Sequence, residues 1–170
     1  MKVGVEMTTK SVARCGLLTA LAMIFGYVEA LIPFHFGIPG VKLGLPNIIT
    51  VFALYTLPVY QVFAIQVMRI VLVSFLFGSL SMMLYSLAGG LLSLVVMVLL
   101  KKKKWLSIAG VSLAGGVSHN IGQLAVAVLV VQNLKIAFYL PALLASGLVT
   151  GGLIGMLVHK VKPLLDRSKF

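Results

Sequence analysis

Arg69 lies in the middle of an apolar run, Val59 to Phe77. A charged side chain there costs about 2.5–3.5 kcal/mol by insertion scales and marks a functional position by default. Gln66, three residues earlier, shares its helical face. The whole chain holds three acidic residues, Glu6, Glu29 and Asp166, and only Glu29, in the outer part of the first apolar segment, is placed to meet Arg69. Two readings stand side by side. Glu29 and Arg69 form a structural pair that fixes helix register, or Arg69 docks an anionic ligand group.

A second group of polar side chains recurs in another apolar segment. Ser112, Gly116, His119, Asn120 and Gln123 follow helical spacing and form one stripe. A stripe of that polarity is costly against lipid, so it faces the bundle interior or a wet cavity. His119 alone reads as a hydrogen-bonded packing residue; with Asn120 and Gln123 beside it, a ligand or relay role has equal standing. The third feature is the stretch Phe34 to Pro46, with His35, Gly37, Pro39, Gly40, Lys42, Gly44 and Pro46. It is either an ordinary connector or a lid, its length being unusual beside the tight turns elsewhere. Non-helical backbone at membrane depth is tolerated only inside protein or along a cavity. As a lid it turns Lys42 and Asn47 toward the site. The expected ligand-binding set is therefore Glu29, Lys42, Asn47, Gln66, Arg69, His119, Asn120 and Gln123.

The same composition removes other chemistries. With one internal carboxylate, most hydrolytic, phosphoryl-transfer and metal reactions have nothing to run on. There is no Walker A motif, so the chain does not hydrolyse ATP itself. His35, His119 and His159 lack metal-ligand spacing. A lone Cys15 permits no disulfide framework, and no Cys-x-x-Cys-His haem site is present. No catalytic residue, metal or cofactor is expected. The formal charge of +11 does not mark a nucleic-acid binder, because the basic residues stand at segment ends rather than along one amphipathic face.

The elements that must hold these side chains are membrane helices. Of the 170 residues, 61% are hydrophobic, and the mean hydropathy is +1.14, too apolar for a soluble domain. The first apolar run, Val12 to Pro33, is too long for a signal-peptide core and reads as an uncleaved helix. The pattern predicts a single membrane domain over 1–170 with helices at about 11–33, 46–57, 59–77, 80–100, 106–131 and 137–161. Three basic clusters test that count: Lys2, Lys10 and Arg14; Lys101 to Lys104; and Lys160, Lys162, Arg167 and Lys169. Six passes put all three on one side, which the positive-inside rule makes cytoplasmic, along with both termini. Only Lys42 and Lys135 fall on the other side. The expected fold is an all-α, six-helix transmembrane bundle in a bacterial cytoplasmic membrane.

Small residues recur at four-residue intervals. Gly147, Gly151 and Gly155 suit close packing within the bundle. On the first helix, Ala13, Gly16 and Ala20 mark one face, and Ala22, Gly26 and Ala30 another.

The run Pro39-Gly-Val-Lys-Leu-Gly-Leu-Pro-Asn47, the first helix ending in Glu29, and Ser118-His119-Asn120 resemble the family known as heptaprenyl diphosphate synthase component I, or the Gx transporter family. The resemblance covers most of the chain, from about Thr9 to Val158. That family is similar to the substrate-binding S components of energy-coupling factor transporters. The resemblance implies a small molecule held near the outer half of the bundle under loop 34–46. It also implies a helix 1 face, here Ala13, Gly16 and Ala20, that docks a membrane coupling subunit driven by two ATPases. The nearest matches to the alanine-x3-alanine pattern of such proteins are Gly16-x3-Ala20 and Ala22-x3-Gly26. The synthase name conflicts with the residues: prenyl diphosphate synthases hold magnesium diphosphate on aspartates, and this chain has one, Asp166, in its tail. Importer subunit is thus the leading expectation. The alternatives are a membrane subunit of a quinone- or flavin-linked electron-transfer complex, and a non-catalytic accessory subunit of polyprenyl diphosphate or quinone synthesis.

Overall fold

The computed structural model describes residues 8–31 and 43–167. These form six α-helices: α1 (Thr9–Leu31), α2 (Leu45–Thr56), α3 (Val59–Phe77), α4 (Leu80–Lys103), α5 (Ile108–Val131) and α6 (Leu140–Arg167). A 3₁₀ segment, Leu134–Tyr139, leads into α6. Every helix except α2 is long and apolar enough to cross a membrane. With 12 residues, α2 is about 18 Å long at 1.5 Å per residue, short of the ~30 Å hydrocarbon core. Six membrane helices were expected; the described residues form six helices, five of them long and apolar enough to span.

Local chemistry sets the breaks. Pro46 occupies the first turn of α2, where its missing N–H is no loss. Pro58 caps the start of α3 in extended geometry. Gly78 ends α3, and the Ser79 hydroxyl accepts the Met82 N–H at 3.2 Å to begin α4. Ser107 does the same for α5, accepting from Gly110 N–H at 3.3 Å. Two helices, α4 and α6, differ from the pattern at their ends. Lys101 to Lys103 form the last turn of α4 rather than a loop, with Lys104 in the left-handed conformation as the cap. Cations there complement the carbonyl end of the helix dipole, so the helix continues through them. At α6, the first residues, from Leu134 to Tyr139, wind as a 3₁₀ helix capped by Asn133, and the helix continues past 161 with Pro163 inside it.

The core is built around α2. Ile49, Val51, Ala53 and Leu54 are buried, and they pack with Leu18 and Ala22 of α1, Val62 and Ile65 of α3, Leu94 and Met97 of α4, and Ile154 and Val158 of α6. Lys101 closes this end. Its Nζ donates to the Leu54 carbonyl at 2.5 Å and lies 5.1 Å from the centre of the Tyr55 ring, so a cation meets the carbonyl end of α2. Arg14, Tyr55 and Leu165 line a smaller cavity of about 240 Å³ beside it. The start of α1 and the ends of α2, α4 and α6 therefore converge, bringing Arg14, Lys101 and Lys162 to one end.

Glycine sets the other half of the bundle. A methyl group added to Gly116 would collide with the Gly147 carbonyl; one on Gly151 would lie 2.7 Å from the Ser112 oxygen, and one on Gly155 2.5 Å from Ala109 Cα. The Gly147, Gly151 and Gly155 row thus packs α6 against α5, as small-x3-small rows do. On the opposite side of α5, Gly122 abuts Ala88 and Gly89 of α4. On α1 the two small-residue faces part. Ala22 is fully buried and Gly26 faces Val73 and Pro46, whereas Ala13, Gly16 and Ala20 are exposed, with no atom within 4 Å of the space a Gly16 side chain would fill.

Candidate functional site

Where the glycine-packed α4–α6 layer meets α1–α3, at the end opposite Lys101 to Lys104, the bundle opens into a cavity of about 530 Å³. Its walls come from all six helices. Glu29, Asn47, Arg69, His119, Asn120 and Gln123 line it. Six of the eight residues expected at the site from sequence therefore share one cavity. Gln66 stands behind Arg69 and off the wall. Lys42, with most of the lid-like stretch 34–46, lies outside the described residues.

Arg69 is 8% exposed. Its Nε donates to Gln66 Oε1 at 3.0 Å, and its Nη2 donates to Asn47 Oδ1 at 2.7 Å. Gln66 is itself fully buried, and its Oε1 also accepts the Thr50 hydroxyl at 2.6 Å. Two neutral amides from α2 and α3 thus hold the guanidinium at a fixed angle. Gly90 of α4 makes the room: a methyl there would lie 2.5 Å from Gln66 Nε2 and 2.9 Å from Ile70 Cδ1.

Glu29 has a different task from either sequence reading. Its two oxygens accept the backbone N–H groups of Gly44 and Leu45, at 2.8 and 3.0 Å. These are orphan donors at the start of α2, where Gly44 adopts φ 73° in the left-handed region and no cap comes from its own side chain. The carboxylate from α1 replaces that cap, and its charge complements the positive end of the helix dipole. It acts on Arg69 through space, but its hydrogen bonds go to α2.

The wall from α5 is placed by close packing. A methyl on Gly89 would lie 2.6 Å from both Gln123 Cγ and the His119 carbonyl, so only glycine lets α4 approach these side chains. Asn120 Nδ2 donates to the Leu143 carbonyl at 2.6 Å and ties α5 to α6. Ser112 is buried in the α5–α6 contact rather than on the cavity wall. The remaining wall was not foreseen: Ser74, Ser86 and Thr150 add hydroxyls, and Ile70, Val73, Phe77 and Met82 add an apolar side. A signal for the α3 part existed, since 66, 69, 70, 73, 74 and 77 fall on one helical stripe with Arg69. Nothing in the sequence tied Ser86 or Thr150 to it.

A bundle of apolar helices enclosing a cavity with convergent polar side chains defines a helical membrane protein with an internal chamber. Residues 18–161 match the family described as heptaprenyl diphosphate synthase component I, and the chain belongs to that family. The comparisons with curated proteins and with solved structures give no match.

Proposed function

We propose that this protein is the membrane-embedded, substrate-binding subunit of an ATP-driven importer for a small, vitamin-sized molecule, with no ATPase or other catalytic activity of its own. The observation that carries this reading is the 530 Å³ cavity. Its volume is that of a small-molecule pocket, and it combines an apolar wall with a few convergent polar groups. The positive-inside rule assigns the basic end to the cytoplasm of a bacterial cell, so the cavity opens toward the outer half of the membrane. The ligand enters from outside. Ala13, Gly16 and Ala20, exposed on α1 at the basic end, then meet a membrane coupling subunit that carries the ATPases.

The family description favours a second reading, a non-catalytic accessory subunit of polyprenyl diphosphate synthesis. One experiment separates them. The protein is purified from its native membrane in mild detergent and analysed by native mass spectrometry for bound molecules and subunits. A bound small metabolite together with a coupling subunit supports the importer. Co-purification with a soluble prenyl synthase, with no coupling subunit, moves the protein to the second reading.

A further inference from the structure

We infer that the cavity takes an amphipathic organic anion of single charge, a carboxylate, docked on the outward edge of Arg69. This inference rests on the ligand-binding reading above and names the class of ligand. Arg69 is more than nine-tenths buried, yet its partners are the amide oxygens of Gln66 and Asn47. Those bonds occupy Nε and one position on Nη2. Nη1 makes no hydrogen bond to any described residue, and Arg69 lines the cavity. A guanidinium held rigidly by two amides on the wall of a chamber suits the two oxygens of a carboxylate.

Charge fixes the valence. Among the described lining residues the formal charges are one guanidinium and one carboxylate. Glu29 already has compensation, from two amide N–H groups and the positive end of α2. Arg69 donates only to neutral amides among the described residues, and Glu29 acts on it through space alone. One negative charge on a ligand completes Arg69. Among the described residues a second would have no cation to meet and would stand near Glu29, and charge left unpaired away from bulk water is costly. This disfavours a phosphate dianion. The body of the ligand follows from the walls: Val73, Phe77 and Met82 offer an apolar face, and His119, Asn120 and Gln123 offer hydrogen bonds across from it.

The test uses small probes of known charge. Thr150 lines the cavity. A Thr150→Cys, Cys15→Ser variant of the full chain in lipid nanodiscs is alkylated with N-ethylmaleimide, which requires a hydrated thiolate. Protection is measured with benzoate, benzamide and phenyl phosphate at equal ionic strength. Benzoate is expected to protect at about tenfold lower concentration than benzamide, the scale of one charge-assisted contact, and better than phenyl phosphate. Adding Arg69→Gln should erase the preference for benzoate, and Arg69→Lys should retain part of it. If Arg69→Gln does not fold, the three-probe comparison in the parent variant decides alone. Equal protection by benzoate and benzamide overturns the anionic docking point. Stronger protection by phenyl phosphate overturns the single charge. A reactive thiol that no probe protects overturns the ligand class while leaving the chamber. A thiol that does not react removes the hydrated chamber, and with it the function proposed above.

Discussion

Glu29→Gln separates the two roles that sequence left open for this carboxylate. In the structure Glu29 accepts from Gly44 N–H at 2.8 Å and Leu45 N–H at 3.0 Å. Glutamine keeps one acceptor oxygen and turns an NH₂ toward the second amide, leaving one buried donor unsatisfied at a cost of about 1–3 kcal/mol. Loss of the charge at the α2 N-terminus adds about 0.3–1 kcal/mol. The expected destabilisation is about 1.3–4 kcal/mol, read as the free energy of reversible unfolding in mixed detergent and sodium dodecyl sulfate micelles. Glu29→Ala, which frees both amides, should cost more. The decisive comparison is a double-mutant cycle with Arg69→Gln. A cap on α2 is unaffected by losing Arg69, so the coupling energy should stay below about 1 kcal/mol, the scale left to a through-space attraction. If Glu29 existed to neutralise Arg69, removing both would restore stability, because each single variant strands a buried charge worth about 3–5 kcal/mol. A double variant more stable than Glu29→Gln alone by 2 kcal/mol or more, on the scale of strongly coupled pairs, would refute the capping assignment.

Gly116→Ala should destabilise by about 1–3 kcal/mol through overpacking against the Gly147 backbone, whereas Gly16→Ala, facing open space, should be neutral or stabilise by up to about 1 kcal/mol from helix propensity; thermal unfolding in nanodiscs distinguishes the two signs. Lys101→Met should cost about 1–2 kcal/mol, because it removes the donor to the Leu54 carbonyl and the contact with Tyr55; the loss should show as faster hydrogen exchange in the last turn of α2. Thr50→Val removes one of the two donors on Gln66 Oε1. It should cost about 1 kcal/mol and weaken protection by benzoate in the Thr150→Cys assay without abolishing it, since Arg69 keeps both amide partners. Gly16→Leu on the exposed α1 face should leave unfolding stability within about 0.5 kcal/mol, as surface substitutions do, while lowering recovery of a coupling subunit in pull-downs from native membrane.

The sequence determined the class, the number of helices and the charged and amide part of the cavity wall. Apolar runs of spanning length with charges confined to their ends have one solution in lipid, a helical bundle. An arginine and a polar stripe inside such runs must face the interior, because the lipid face is too costly for them; this is why Arg69, His119, Asn120 and Gln123 were legible and do share a chamber. Local composition also placed the turns at Pro58, Gly78 and Asn133. It misplaced the ends of α4 and α6, where basic residues read as the close of a helix but the backbone carries onward.

Pairings across helices are decided only by the tertiary structure, because they depend on which faces meet and at what depth. Charge alone could not say that Glu29 would cap α2 while two amides held Arg69, since a carboxylate and a guanidinium on neighbouring helices attract in either arrangement. Nor could helical spacing assign the glycines. Gly89 and Gly90 place the His119–Gln123 wall and the Gln66–Arg69 brace, while Gly16 is left facing outward. A missing side chain has no direction of its own, and only the neighbouring backbone tells a close contact from an open face.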